Sequence, residues 1–367
     1  MAKALESILG HAPLTKALRT TVSGVPKPFP EQFFSVDPAN RILGDRAKYI
    51  RISGERRPAK RTVYGAPAKR RSLRDVGDAT VRCLHSFEEI TVDLTIMQKL
   101  RSFESYSQDE GMDWLRYQIE EAAKRQNNAR VTAVASALRH GAIYWDSDGN
   151  LLADSSGADS NLTIDFSVPS TNKDQVNGII DQSWALATTD IPGHIRALKQ
   201  YSKQLTGLGL TAVLYGINVP KYMTQNEYVQ AYLARGDMRD KFLGTGEIPS
   251  GLFGIKDWIP VYDSHFLNDS DTVVETWQDD LATFIPNVDQ PDKMGWWAMY
   301  EGSFPVPNTL DVQREPAGTL GNYSVEYGPF SYGVLNHNPP TGSVFYGDTW
   351  LPAIRNANAI FPVDTAF

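Results

Sequence analysis

Residues 109–140 read DEGMDWLRYQIEEAAKRQNNARVTAVASALRH, and this is the stretch of the sequence that decides the fold. Its apolar side chains recur at steps of three and four residues, which is the spacing of an α-helix with one buried face. Acidic residues come first, Arg139 and His140 come last, and Gly141 suits a helix C-terminal cap. The pattern predicts one continuous helix of about 45 Å, which is long for a globular protein.

Downstream of this helix the sequence predicts short elements of both kinds. Two apolar limbs flank Asp148-Gly149 within residues 142–156, which is a hairpin signal, and residues 161–169 alternate as a strand. Further helices are predicted at Ile191–Leu205 and within Val219–Arg235. Further strands are predicted at Leu210–Ile217, Asp257–Tyr262, Ala282–Pro286, Trp296–Tyr300, 323–333 and 359–367. Because helices and strands do not alternate regularly, the expected fold class is α+β.

Upstream lies a basic stretch, SGERRPAKRTVYGAPAKRRSLRD, at residues 53–75. From Arg41 to Arg74 there are twelve Lys and Arg residues against two acidic ones, a net charge of +10. The rest of the chain holds 24 basic and 41 acidic residues, a net charge of −17. A basic segment on an acidic body is complementary to other copies of the same body.

The segments that flank the basic stretch, Tyr49–Ile52 and Glu89–Leu94, have strand character, and Gly and Pro lie between them. This predicts a long hairpin, whose limbs of about 17 residues span about 50 Å when extended. The radius of gyration expected for the whole chain is only about 21 Å. The hairpin is therefore expected to reach a neighbouring copy.

Three interpretations of the basic stretch remain: binding to nucleic acid, a disordered linker, or contact with an acidic neighbouring subunit. Proteins that bind single strands usually place aromatic side chains among the charges, and here only Tyr64 is aromatic. The acidic body beside the stretch would also repel nucleic acid, so the subunit contact is favoured over the other two interpretations. The residues expected to make it are Arg56, Arg57, Lys60, Arg61, Lys69, Arg70, Arg71 and Arg74.

The N-terminal residues 1–40 are expected to form an arm. Apolar side chains at positions 5–9 predict a short amphipathic helix, and Pro26, Pro28 and Pro30 favour an extended path after it. The single cysteine, Cys83, excludes an internal disulfide and favours a reducing cytoplasm. Neither a secretory signal nor a membrane span is expected from the sequence.

Motifs that carry chemistry are weak. Gly207-Leu-Gly209 follows a predicted helix, whereas a dinucleotide-binding glycine motif follows a strand, so a turn explains these glycines better. The glycine-rich residues Gly244–Gly251 lack the lysine of a phosphate-binding loop. Asp146–Asn150 fits a hairpin turn better than a calcium loop. Cys83-Leu-His85 supplies two metal ligands at most, and no Gly-x-Ser-x-Gly motif occurs. We expect no enzyme activity, no metal and no cofactor, although an unrecognised hydrolase site remains an alternative.

The order of elements is similar to that of a known family: an arm, a basic hairpin, a long helix followed by a short hairpin, a mixed domain, and a β-rich C-terminus. The chain resembles the major capsid proteins of tailed phages with the Hong Kong 97 fold, and within them the lambda-type major capsid protein E family. The stretches that carry the resemblance are residues 114–169, 189–229, 254–266 and 347–367. Together they place about residues 35–367 within it.

The resemblance implies a division of the chain. Residues 1–35 would be the N-terminal arm, 36–95 the extended loop region, and 96–184 the peripheral domain with the spine helix at 109–140. Residues 185–325 would be the axial domain, and 326–367 would return to the peripheral domain.

The resemblance also implies a function. The chain would assemble into hexamers and pentamers of an icosahedral shell that encloses double-stranded DNA without reading its sequence. Scaffold, portal and decoration proteins would be partners, no membrane would be involved, and the shell would assemble in the host cytoplasm and remain in the virion. The alternatives are an encapsulin-like nanocompartment shell and a nucleic-acid-binding protein that uses the basic loop.

Overall fold

The structure is a computed structural model that describes residues 8–24, 34–52, 76–101, 105–234, 242, 246–261, 265–267, 272–286, 297–307, 323–337 and 340–367. Its helices are α1 (His11–Gly24), α2 (Leu94–Arg101), α3 (Ser105–His140), α4 (Ile191–Leu205), α5 (Val219–Gln225) and α6 (Glu227–Leu233). Its strands are β1 (Ser35–Ile42), β2 (Arg46–Ile52), β3 (Val76–Arg82), β4 (Leu84–Val92), β5 (Ala142–Trp145), β6 (Leu151–Leu152), β7 (Ile164–Asp165), β8 (Leu210–Tyr215), β9 (Asp257–Pro260), β10 (His265–Leu267), β11 (Val273–Glu275), β12 (Leu281–Pro286), β13 (Trp297–Pro307), β14 (Tyr323–Tyr327), β15 (Phe330–His337), β16 (Pro340–Ile354) and β17 (Phe361–Asp364). Helices and mainly antiparallel sheets follow one another without regular alternation, which confirms the α+β class.

The long helix α3 is confirmed and begins four residues before the predicted start. Its 36 residues give a rod of about 54 Å. Its C-terminal part, residues 131–138, is wholly buried. Gly141 ends the helix in the left-handed region with φ of 68°, where a Cβ atom would collide with the side chain of Val168. No helix among the described residues is long and apolar enough to cross a membrane.

The short hairpin after α3 is confirmed as β5 paired with β6, and β7 pairs with the other edge of β5. Its turn is held by the Asp146 carboxylate, which accepts hydrogen bonds from the backbone N–H of Asp148 (2.9 Å) and of Asn150 (2.7 Å). Hydrogen bonds from the side chain and backbone of Asn150 lower the pKa of Asp146. The carboxylate is thus occupied by the turn, as the hairpin interpretation predicted.

A six-stranded sheet packs against α3. Its order is β1-β13-β16-β15, with β14 paired to β13 and β4 paired to β16. The long strand β16 pairs with β15 along one edge and with β4 along the other, and its last residues pair with β13. Side chains such as Val134 and Leu138 of α3 share one buried cluster with Trp350 and Leu351 of β16.

This sheet shows that the predicted second limb of the basic hairpin was wrong. Residues Glu89–Leu94 do not pair with Tyr49–Ile52, because β4 pairs along its whole length with β16. The strand that pairs with β2 is β3, in a ladder that runs from Arg46 opposite Arg82 to Ile52 opposite Val76. The described part of the hairpin is therefore the β2–β3 pair, whose return limb comes earlier in the chain than the sequence predicted, and residues 53–75 lie outside the described residues.

A second buried cluster forms around a four-stranded sheet of order β17-β12-β8-β9. Helix α4 packs on it with the predicted bounds, and the Asp190 carboxylate caps it by accepting a hydrogen bond from the N–H of Gly193 at 2.9 Å. Gly207, with φ of 83°, lies in the turn after α4, as predicted for this glycine stretch. The last strand of the chain, β17, is an edge strand of this sheet.

Helix α1 is the main element that the sequence did not predict. Leu14 and Leu18 bury its inner face against α3, and Thr15 contacts the outer edge of β15. The Thr15 hydroxyl donates to the carbonyl of Ser331 at 2.8 Å and accepts from its N–H at 3.0 Å. An exposed strand edge can pair with a strand of another chain, and α1 protects the edge of β15 from such pairing. The predicted extended path at Pro26–Pro30 lies outside the described residues.

Candidate assembly surface

The eight basic residues predicted to contact a neighbour lie outside the described residues. These are Arg56, Arg57, Lys60, Arg61, Lys69, Arg70, Arg71 and Arg74. The structure describes the strand pair β2–β3, which flanks this segment in the sequence and which we call the root. Its seven paired residues per strand give a ribbon of about 24 Å. Because Ile52 pairs with Val76, the two ends of the segment 53–75 lie side by side.

The root is fixed to the body through its inner face. Ala47, Tyr49 and Ala79 are all at least nine-tenths buried in the same cluster as the C-terminal half of α3. The ring of Tyr49 stacks on Tyr300 of β13, with centroids 6.0 Å apart. Alternation along the two strands places these residues on one face, so the other face carries charges such as Lys48 to solvent. The root is therefore a rigid base for the basic segment.

Ion pairs and one thiol surround the root. Arg82 pairs with Asp45 at 3.1 Å on the surface, and Arg41 pairs with the largely buried Glu301 at 3.2 Å. Cys83 is buried, and burial raises the pKa of its thiol to about 12, so it stays protonated and unreactive. No group of three metal-ligating side chains occurs in the part of the chain that the structure describes.

Next to the root, the outward face of the sheet carries a cluster of aromatic rings that the sequence reading missed. We call it the aromatic face, and its members are His85, Phe87, Phe304, Phe330, Tyr332 and Phe345. Phe304 stacks on Phe330 with centroids 4.5 Å apart, and Tyr332 stacks on Phe345 at 5.0 Å. Phe87 is 44% exposed at its centre.

Gly347 and His85 shape the packing of the aromatic face. Gly347 lies under the ring of Phe330, where a Cβ atom would collide with that ring. Burial lowers the pKa of His85, so its imidazole is neutral at pH 7 and packs as a ring. The only signal in the sequence was the alternation of His85, Phe87 and Glu89 along β4, which places all three side chains on one side of that strand.

Under this face a buried ion pair joins α3 to β16. The Arg130 guanidinium donates to both carboxylate oxygens of Asp348 at 2.7 and 2.8 Å, and their side chains are 5% and 0% exposed. Arg130 also lies 5.6 Å above the ring of Trp350. Burial raises the pKa of Asp348, and the guanidinium opposes this by stabilising the charged carboxylate. The pair fixes the sheet to the long helix at one register.

Comparison with known proteins supports this reading of the fold. No family model and no curated protein matches the sequence. The structure is similar to a phage-related protein from Bordetella bronchiseptica RB50, with a TM-score of 0.54 and 10% identity, over 98% of each chain. It is also similar to a protein assigned as the capsid protein of a prophage of E. coli CFT073, with a TM-score of 0.52 and 13% identity, over 98% of this chain and 99% of that one.

The chain has their fold. The similarity runs over nearly the whole length of both neighbours. It confirms the Hong Kong 97-type capsid fold expected from the sequence. The basic segment stays a prediction, because its residues are not described.

Proposed function

We propose that this chain is the major capsid protein of a tailed phage or prophage. It assembles with copies of itself, as hexamers and pentamers, into an icosahedral shell that encloses double-stranded DNA. The observation that carries the proposal is the fold, which matches a protein assigned as a prophage capsid protein over 98% of this chain. Its role is structural, without catalysis or cofactor.

The root of the basic segment supports the same function. A ribbon fixed at its base by Tyr49 and Ala47 can carry a charged segment away from its own body. The rest of the chain is acidic by seventeen charges, so copies of it attract that segment. Arg56, Arg57, Lys60, Arg61, Lys69, Arg70, Arg71 and Arg74 are the proposed contact residues.

The two sheets are the basis of a proposed division of the chain into two domains. The six-stranded sheet with α3 is the proposed peripheral domain, and the four-stranded sheet with α4 is the proposed axial domain. The aromatic face supplies apolar contact area through the exposed ring of Phe87, and stable shells need such area in interfaces above about 2,000 Å². Scaffold, portal and decoration proteins are the proposed partners, assembly takes place in the host cytoplasm, and the virion is the final location.

Negative-stain electron microscopy tests the proposal. The protein is purified after expression alone and after expression with its neighbouring genes. Uniform shells or capsomer-sized rings are expected. Protein that stays monomeric under both conditions contradicts the proposal, and shells that hold a cargo enzyme in place of DNA favour the nanocompartment alternative.

A further inference from the structure

A cleft lies beside α4. Its volume is about 720 Å³, and three basic side chains of one helix line it: Arg196, Lys199 and Lys203. Tyr232 of α6 and Phe253 close its other side. None of the described residues that line it is acidic. On a chain with a net charge of −7, this is a concentration of positive charge.

The spacing of the three cations suits a chain of phosphates. They lie at positions i, i+3 and i+7 of α4, so they share one side of the helix. Seven residues rise about 10.5 Å along the helix axis. Phosphates of one strand of a duplex follow each other about every 3.4 Å along its axis, so this distance covers three to four of them.

Lys199 is held in place by the opposite wall. Its Nζ donates to the carbonyls of Phe253 at 3.1 Å and of Gly254 at 2.9 Å. Both residues have positive φ, 53° and 69°, which is unusual for a bulky residue such as Phe253 and turns this short segment toward α4. Burial, and after it the charge of Lys203, lowers the pKa of Lys199. A bound anion would stabilise its charged form.

Arg196 is available at the mouth of the cleft. It is exposed and has no hydrogen-bond or ion-pair partner within the described ranges. A guanidinium presents five donors in a fixed plane that matches two oxygens of a phosphate group. The cleft thus combines one positioned ammonium with one exposed guanidinium.

Aromatic rings lie beside these charges. The rings of Tyr232 and Phe253 are in contact with centroids 4.9 Å apart, and Tyr232 is 50% exposed. Proteins that bind single strands combine a basic groove with aromatic rings on which bases stack. The basic segment 53–75 has many cations and only Tyr64, whereas this cleft has both features. The rings favour a nucleic acid with accessible bases, because bases stack on aromatic rings and the carboxylates of an acidic protein surface do not.

We propose that this cleft binds the phosphate backbone of nucleic acid without reading its sequence, and that Tyr232 stacks on a base where the strand is unpaired. The inference rests on the proposed function, since in an assembled shell the ligand is the phosphate backbone of the enclosed double-stranded DNA, and stacking on Tyr232 is confined to bases that are unpaired. It adds one place on the subunit where that DNA is contacted.

Fluorescence anisotropy on the full-length, unassembled subunit tests it, with a labelled single-stranded oligonucleotide and the matching duplex as probes over a salt series. Each lost phosphate contact reduces the slope of log K against log salt by about 0.7 for single strands and 0.9 for duplex. The double variant R196Q/K203Q is therefore expected to reduce the slope by about 1.4 and 1.8. The variant Y232L is expected to weaken single-strand binding and to leave duplex binding unchanged.

The matched control is R116Q/K124Q, which removes two cations from the exposed side of α3, where they pair with Asp113 and Glu121. It is expected to leave the slope unchanged. An equal effect of the control overturns the proposal, and so does an unchanged slope in R196Q/K203Q. Poly-glutamate that competes as well as an oligonucleotide of equal charge also overturns it and identifies an acidic protein as the partner.

The two proposals fail separately. Shells of wild-type protein seen by electron microscopy, together with an unchanged slope, overturn the cleft and leave the shell function standing. A reduced slope without any shells supports the cleft and contradicts the shell function.

Discussion

Removing Arg130 should be far more damaging than its single charge suggests. The substitution Arg130→Met keeps most of the side-chain volume but leaves the Asp348 carboxylate, which is 0% exposed, without its two charge-assisted hydrogen bonds. Breaking a buried pair from one side costs about 3–5 kcal/mol. We expect that loss in the free energy of unfolding at pH 7, measured by denaturant titration of the unassembled subunit. Shell formation should weaken with it.

The same helix provides a matched control. Arg125 of α3 pairs with Glu88 at 3.3 Å, but these side chains are 69% and 40% exposed. Solvent screens such a pair, so Arg125→Met should cost less than about 1 kcal/mol. Replacing both buried partners, as in R130M/D348L, should recover most of the loss, because no charge is then left buried.

The loss in Arg130→Met should also depend on pH. Burial raises the pKa of Asp348, and in the variant no guanidinium opposes it. A carboxyl whose pKa is higher in the folded than in the unfolded state favours folding when protonated, and this contribution is lost as the pH rises through the folded pKa. The deficit should therefore shrink as the pH falls from 7 toward about 4. A variant within 1 kcal/mol of the wild type at pH 7, or a deficit independent of pH, refutes this role of the pair.

Three further changes test other parts of the molecule. Reversing four arginines of the basic segment to glutamate should leave the circular dichroism spectrum unchanged and block assembly, and normal shells by electron microscopy would contradict the loop contact. Those arginines are Arg56, Arg57, Arg70 and Arg71. Gly347→Ala should lower the midpoint of thermal unfolding by several degrees, because the added methyl collides with the ring of Phe330. An unchanged midpoint would mean that the ring moves freely. Thr15→Val should cost about 1–3 kcal/mol in denaturant titration by leaving the N–H and carbonyl of Ser331 without their partner, whereas Thr15→Ser should cost little.

The elements that the sequence predicted well are those fixed by local rules. α3 and α4 follow from apolar spacing and from caps at Gly141 and Asp190, which act within one helix turn. The hairpin around Asp148-Gly149 follows from turn chemistry in the same way. In each case the residues that determine the structure are close together in the chain.

The elements that the sequence mispredicted depend on partners that are far away in the chain. β4 has the alternation of a strand, but whether it pairs with β2 or with β16 is decided by residues some 250 positions away. α1 has a weak apolar face that becomes stable only on α3 and β15. The aromatic face needs the registers of four strands at once, and no local pattern contains them.

The candidate contacts divide in the same way. Arg196, Lys199 and Lys203 lie on one side of α4, whose bounds the sequence predicted, whereas Tyr232 and Phe253 come from other elements and join them only in the folded chain. The basic segment was conspicuous in the sequence because its charges are consecutive.

The pairing of Ile52 with Val76 has an evolutionary consequence. Bringing these two residues together costs conformational entropy. The hydrogen-bonded ladder of β2 and β3 offsets that cost, whatever is inserted between the two residues. For a flexible insertion, doubling the length adds only about 0.6 kcal/mol to the cost of closure. Insertions and deletions at this position are therefore nearly neutral for the stability of the subunit. The reach toward a neighbour can vary between descendants while the two cores stay unchanged.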